Sequence, residues 1–320
     1  MRNPAGLILE IFKKGDNRLQ MSIITADELA RTVRHYSTCP YSLPQIKKIC
    51  QEVTACLNKI NVSASANARI LLDLKKLGEL LWGHLLSRQV KERLRPEEAL
   101  SLTLVIDEEL IYIPWELLND GRDFLCLKFN LGRIVRSKEQ VHIARYRSAS
   151  SGILRMLIIA DPTADLESAY LEGRSIKKQF DRHRSLLKID FKSSCVDTLY
   201  LKKNLRDYDI VHFAGHCEHE ADDPKASGWI FTDGRLDAQD ILSQGHSTSF
   251  PVLIFANACH SADSPKSMLE SDYQENTYSL IEAFLFSGVR IYLGSIRKIE
   301  DKVSFVFAQE FYTRLINGGA

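Results

Sequence analysis

The sequence has no CxxC pair, and its seven cysteines, Cys39, Cys50, Cys56, Cys126, Cys195, Cys217 and Cys259, are an odd and scattered set. That argues against a disulfide framework and suits a reducing compartment, so a cytoplasmic location is expected. No stretch reaches the roughly 18 apolar residues that a membrane-spanning helix needs. The N-terminal Met1-Arg2-Asn3-Pro4-Ala5-Gly6-Leu7-Ile8 lacks the sustained apolar core and small-residue cleavage site of an export signal, and neither export nor a membrane partner is expected. Charge of one sign is also missing, with 42 Lys and Arg against 41 Asp and Glu. Without a bulk positive field nothing invites direct nucleic-acid binding. Gly294-Ser295 lacks the second glycine of a serine-hydrolase elbow, and no Gly-rich loop of the P-loop or dinucleotide type is present. No cofactor is therefore expected. Internal repeats and low-complexity tracts are absent too.

What is present is an ordinary globular composition, 45% apolar and 26% charged. At 320 residues the chain is longer than a single core usually supports, so one large domain or two adjoining units are expected. Residues 7–12 and 19–24 read as a β-hairpin around Gly15-Asp16. Helical spacing follows, first from Asp27 and Glu28 through Leu29, Val33, Ile46, Ile49, Val53 and Leu57. It resumes over 64–92 with an apolar face of Ile70, Leu71, Leu74, Leu77, Leu80, Leu81 and Leu85. Strand character returns at 101–106 and 111–113, and Pro114 suits a first helical position before Trp115 and Glu116, which read as a packing anchor between halves. The polar stretch 137–152 reads as a linker.

Beyond it strands and helices alternate. Strands are expected at 153–160, 187–191, 210–214, 251–256 and 289–293, and helices at 166–182, 199–205, 277–287 and 303–316. This is the pattern of an α/β fold, a parallel sheet flanked by helices. Residues 1–148 and 149–320 are the expected halves.

Active sites of open parallel sheets gather beyond the carboxyl ends of strands. Two such ends carry reactive groups, Ile210-Val211-His212-Phe213-Ala214-Gly215-His216-Cys217 and Leu253-Ile254-Phe255-Ala256-Asn257-Ala258-Cys259-His260. If the strands are neighbours, His216 and Cys259 meet at one edge, as a Cys/His nucleophile pair requires. A cysteine at a strand end is more often a small buried hydrophobe, and the histidines with Cys217 and Cys259 could be imagined as zinc ligands. Neither His142 nor Cys126 sits on a comparable strand end.

The blocks His212-Phe213-Ala214-Gly215-His216, Ser227 to Ile241 and Asn257-Ala258-Cys259-His260-Ser261, taken in order, resemble those of CHAT peptidases, caspase-like relatives within the group that includes separase. Ile113 to Leu118, Ile158 to Pro162 and Glu282 to Val289 extend the likeness over roughly 100–316. The resemblance implies a caspase-like parallel sheet preceded by a degenerate, pseudo-peptidase half. It implies a cysteine endopeptidase with His216 and Cys259 as catalytic residues and the backbone N–H groups of Cys217 and Cys259 as the oxyanion hole. Relatives commonly have glycine where this chain has Cys217. Asp161 and Asn257 are placed where relatives line the substrate pocket, and an acid at Asp161 would favour Lys or Arg, although Asp161 could equally cap the following turn. By the same resemblance the partner is a specific protein substrate, a gasdermin-like one being possible, cut in bacterial defence or programmed death under a sensor or regulatory protein. The alternative is an inactive caspase-like scaffold for protein interaction. A third class, a metal-dependent hydrolase, would need a zinc set.

Overall fold

The structure is a computed structural model that describes residues 6–25, 28, 33–59, 64–95, 101–136, 153–181, 185–218, 226–244, 250–260, 280–295 and 299–317, without the side chains of 64–66, 259 and 260. Contacts divide the chain into two compact units, Met1–Glu139 and Gln140–Ala320. The linker expected at 137–152 and most of the helical start at 26–32 lie outside the described residues.

In the first unit, β1 (Leu7–Lys13) and β2 (Arg18–Thr25) form the expected antiparallel hairpin. Gly15 in its turn has φ +65°, a conformation that favours glycine. Alternation buries Leu7, Leu9 and Ile11 on one face of β1. Strand β3 (Ser37–Pro40) pairs with β2, while β4 (Ser101–Asp107) and β5 (Asn130–Arg136) add parallel strands on the other side, giving the order β3-β2-β1-β4-β5. Helices α1 (Leu43–Asn58), α2 (Ala64–Leu85) and α3 (Arg88–Leu94) intervene, and the short α4 (Leu125–Lys128) precedes β5. Ser87 ends the run expected at 64–92 by capping a new helix, its Oγ accepting from Val90 N–H at 3.4 Å. Leu74, Leu77, Leu81 and Leu85 reach the core, but Leu71 and Leu80 are about half exposed, so the buried stripe is narrower than the leucines suggest.

Two expectations change here. Residues 111–113 form a turn, because a 3₁₀ segment at Glu108–Leu110 ends β4, and β3 was masked by its short polar composition and terminal proline. Trp115 is fully buried in the first unit's own core, with its indole N–H donating to Leu110 O at 3.0 Å.

The second unit is the expected parallel sheet. Strands β6 (Leu154–Ala160), β7 (Leu187–Lys192), β8 (Ile210–Glu218), β11 (Leu253–His260) and β12 (Ile291–Gly294) pair in parallel in the order β7-β6-β8-β11-β12. A hairpin of β9 (Gly228–Phe231) and β10 (Gly234–Asp237), not foreseen, joins the far end of β8 antiparallel. Alternation explains the continuous apolar runs. Met156 and Ile158 enter one core with α5 (Glu167–Phe180) and the helix Asp301–Ile316. Leu157 and Ile159 enter another with α6 (Thr198–Asn204), α7 (Ala238–Ser243) and helical residues 280–286.

Candidate active site

The two chemistry-bearing strands are neighbours. Ladder pairing sets Asn257 opposite Ala214, Ala258 opposite Gly215, Cys259 opposite His216 and His260 opposite Cys217. The outer strands stop short of this point, since β6 pairs with β8 only as far as Ala214 and β12 with β11 only as far as Ala256. Among the described residues the ends of β8 and β11 therefore run on as a two-strand tongue, buttressed on one side where Cys217 and Glu218 pair with Trp229 and Gly228. The backbones of 216 and 259 thus lie one strand spacing apart, about 4.8 Å.

His216 is mostly buried, and its Nε2 is 3.1 Å from each oxygen of Asp165. Asp165 is 60% exposed but held by a tight turn. Asp161 opens that turn with φ +55° and Ala164 follows with φ +65°. The Asp161 N–H donates to Ala214 O at 2.8 Å, and its Oδ1 accepts from the N–H groups of Asp165 and Leu166, each at 2.9 Å. Left-handed backbone at two non-glycine residues is the kind of local strain that survives where surrounding contacts dictate it. The Thr163 hydroxyl donates to Asp165 Oδ1. That hydroxyl above all, against the opposing effect of burial and with the nearby His216 assisting, holds the Asp165 carboxyl below the usual carboxylate range. With Nε2 turned to this carboxylate, the ring presents Nδ1 as its other nitrogen.

Asp165 was not anticipated. Its only sequence signal is a second acid four residues after the Asp161-Pro162 that ends a buried strand. The turn reading of Asp161 is the one its contacts match, because a buried acid engaged by two backbone donors shapes the loop. Asn257, the other expected pocket residue, turns its amide to the buried Glu172, at 3.0 and 2.8 Å. Cys217 is buried as a rung between β9 and β11. His212 is fully buried in the sheet, as its apolar setting predicts. Among the described residues no group of His, Cys, Asp or Glu could hold a metal ion, no described cysteine is in a disulfide, and no helix is long and apolar enough to cross a membrane.

A family model described as CHAT domain matches residues 74–320. Among solved structures the chain is similar to the crystal structure of the Arg specific cysteine proteinase gingipain R, with 12% identity and a TM-score of 0.36 over 72% of this chain and 56% of that one. The chain thus spans little more than half of that neighbour's length. No curated protein matches it.

Proposed function

The chain belongs to the CHAT family, and from that premise we propose that it is a cysteine endopeptidase in which Cys259 is the nucleophile and His216 its acid/base partner. The observation that carries this reading is the register: Cys259 and His216 are ladder partners at the ends of two adjacent parallel strands, with Asp165 against the imidazole.

The chemistry follows from that order. Nδ1 of His216 takes the proton of the Cys259 thiol, and Asp165 stabilises the imidazolium that forms. The thiolate attacks the scissile carbonyl carbon, and the backbone N–H groups of Cys217 and Cys259 serve the developing oxyanion. Collapse of the tetrahedral intermediate breaks the C–N bond as His216 returns its proton to the leaving amine. His216 then takes a proton from water, the hydroxide attacks the thioester, and the thiolate leaves to be reprotonated. Asp165 keeps one ring nitrogen occupied throughout, so the imidazole shuttles protons on its other side.

The substrate is a specific protein partner rather than bulk peptide. By analogy with the family, we assign it to bacterial defence or programmed death, with a gasdermin-like protein as the first candidate and a sensor as the trigger. The test is incubation of the protein and its Cys259→Ala and His216→Ala variants with the products of neighbouring genes, reading new N-termini by mass spectrometry. New termini made by the wild type and by neither variant support the proposal. Termini that persist in Cys259→Ala overturn it.

A further inference from the structure

A carboxylate inside a protein is costly unless its oxygens are matched, and a well-packed apolar side chain commonly serves the core as well or better. Glu172, in the middle of α5, is only 3% exposed. It accepts from Asn257 Nδ2 with both oxygens, and Oε1 also lies 3.0 Å from His212 Nε2, an approach too bent to be a well-aligned hydrogen bond. His212 Nδ1 is 3.2 Å from the hydroxyl of Tyr312, which is completely buried. Burial, then the Glu172 charge, push the Tyr312 phenol well above its ordinary value, so it keeps a proton to donate to Nδ1. That leaves Nε2 as the N–H side of the ring, facing the carboxylate. The Phe255 ring closes the cluster, 5.1 Å from His212.

Four elements meet here, and the place where they meet gives the cluster its consequence. His212 is on β8 and Asn257 on β11, four and two residues before the reactive positions on those strands. Asn257 is also the first residue of β11 past its last β12 partner. Among the described residues, the strand from there to His260 is laddered on the β8 side only. Backbone pairing alone leaves such an end free to twist and splay, and a displacement of about 1 Å can cost on the order of 100-fold in rate.

We propose that Glu172 is a positioning residue for the His216/Cys259 pair: its buried carboxyl holds Asn257 of β11 by two hydrogen bonds and lies 3.0 Å from His212 Nε2 of β8 at the root of the two-strand tongue, with Tyr312 fixing the orientation of the histidine. The proposal rests on His216 and Cys259 being the reacting pair. It explains why a charge is kept where an apolar residue would satisfy the core.

The test needs no peptide substrate. The full chain, Glu172→Gln, Tyr312→Phe and His216→Ala are alkylated with iodoacetamide across a pH series, and the rate at Cys259 is read by peptide mass spectrometry. The exposed Cys126 and Cys195 serve as internal references. Glu172→Gln, with an unchanged far-UV circular dichroism spectrum, is expected to slow Cys259 alkylation about 10- to 100-fold. Its pH profile should move toward that of a simple thiol, near about 8.5, with both reference cysteines unaffected. Tyr312→Phe, which keeps the ring and its packing, should slow Cys259 by a smaller factor, about 2- to 10-fold. A folded Glu172→Gln with wild-type reactivity at Cys259 overturns the proposal. Should that variant not fold, wild-type reactivity in Tyr312→Phe overturns it. Failure of the underlying catalytic reading looks different: there His216→Ala itself leaves the Cys259 rate and pH profile unchanged.

Discussion

The two units put charge in different places. In the first, the sheet interior is apolar from β1 through β4, and the charged groups close on one another around it. Arg133 pairs with Glu116 while donating to Ile111 O and Ile113 O, and Lys128 joins Asp120 at 2.7 Å with both side chains under 8% exposed. In the second, ionisable groups reach the sheet itself, with His212 on β8 lying against Glu172 of α5, and a strand end carries His216 with Asp165 of the neighbouring loop beside it. Ion pairs that satisfy themselves build a scaffold, whereas ionisable groups drawn to one strand edge and partnered on one side build a site. Among its described residues the first unit has no cysteine and histidine on adjoining strand ends, since Cys39 is buried on β3 and Cys126 lies on α4.

The comparison breaks most visibly in the first unit's core. Trp115→Ala removes a fully buried indole and one of the two hydrogen bonds to Leu110 O, which keeps only the Ile113 N–H, so a loss of about 3–5 kcal/mol is expected in urea denaturation. A smaller cost falls on Gly78, where a Cβ would sit 2.3 Å from Leu117 O and 3.0 Å from Asn119 Cβ. Gly78→Ala must push α2 away from the 117–119 segment, at about 1–3 kcal/mol. A neutral Gly78→Ala would show that α2 is not seated closely there.

In the second unit the corresponding substitution should cost activity instead of stability. Asp165→Asn keeps an acceptor for His216 but removes the charge that favours the imidazolium. A fall in kcat of about 10- to 100-fold is expected, about 1.4–2.7 kcal/mol in the barrier, with KM unchanged. Because Asp165 is 60% exposed, denaturation midpoints should stay within about 0.5 kcal/mol of wild type. An unchanged kcat would make the contact an ordinary surface ion pair.

Much of this division is legible in the sequence, for a physical reason. Strands buried on both faces read as unbroken apolar runs, and Leu154–Ala160 and Ile210–Ala214 declare themselves that way. The proposed pair, His216 and Cys259, is legible because it ends such runs. Strand β3 and the β9–β10 hairpin are short and mixed in polarity, and their pairing comes from partners distant in sequence. Asp165 and Glu172 were hidden for a related reason. One lies in a loop and one on a helix whose other acid, Glu167, looks just as plausible, and only the fold sets them 51 and 85 residues away from their partners His216 and Asn257.

The smallest expected effect is a sharpening of the acid limb of stability. Asp120 is pushed up by burial, yet the Lys128 ammonium and the N–H groups of Asp123 and Arg122 outweigh that and hold it below the usual carboxylate value. Asp165 is held low as well, by Thr163 and His216. A carboxyl depressed in the folded state contributes stability in full above its unfolded value, near about 3.9, and loses it as pH falls through the folded value. Wild-type stability should therefore drop below about pH 4. Asp165→Asn should remove a thin slice of that drop at low salt and a thinner one in about 1 M salt, where the part owed to His216 is screened and the part owed to the Thr163 hydroxyl is not. The slice belonging to the buried Lys128–Asp120 pair should persist in both. An acid limb that Asp165→Asn leaves untouched at low salt would mean that the carboxylate gains nothing from His216, and the asymmetry between the two units would then rest on the buried Glu172 cluster alone.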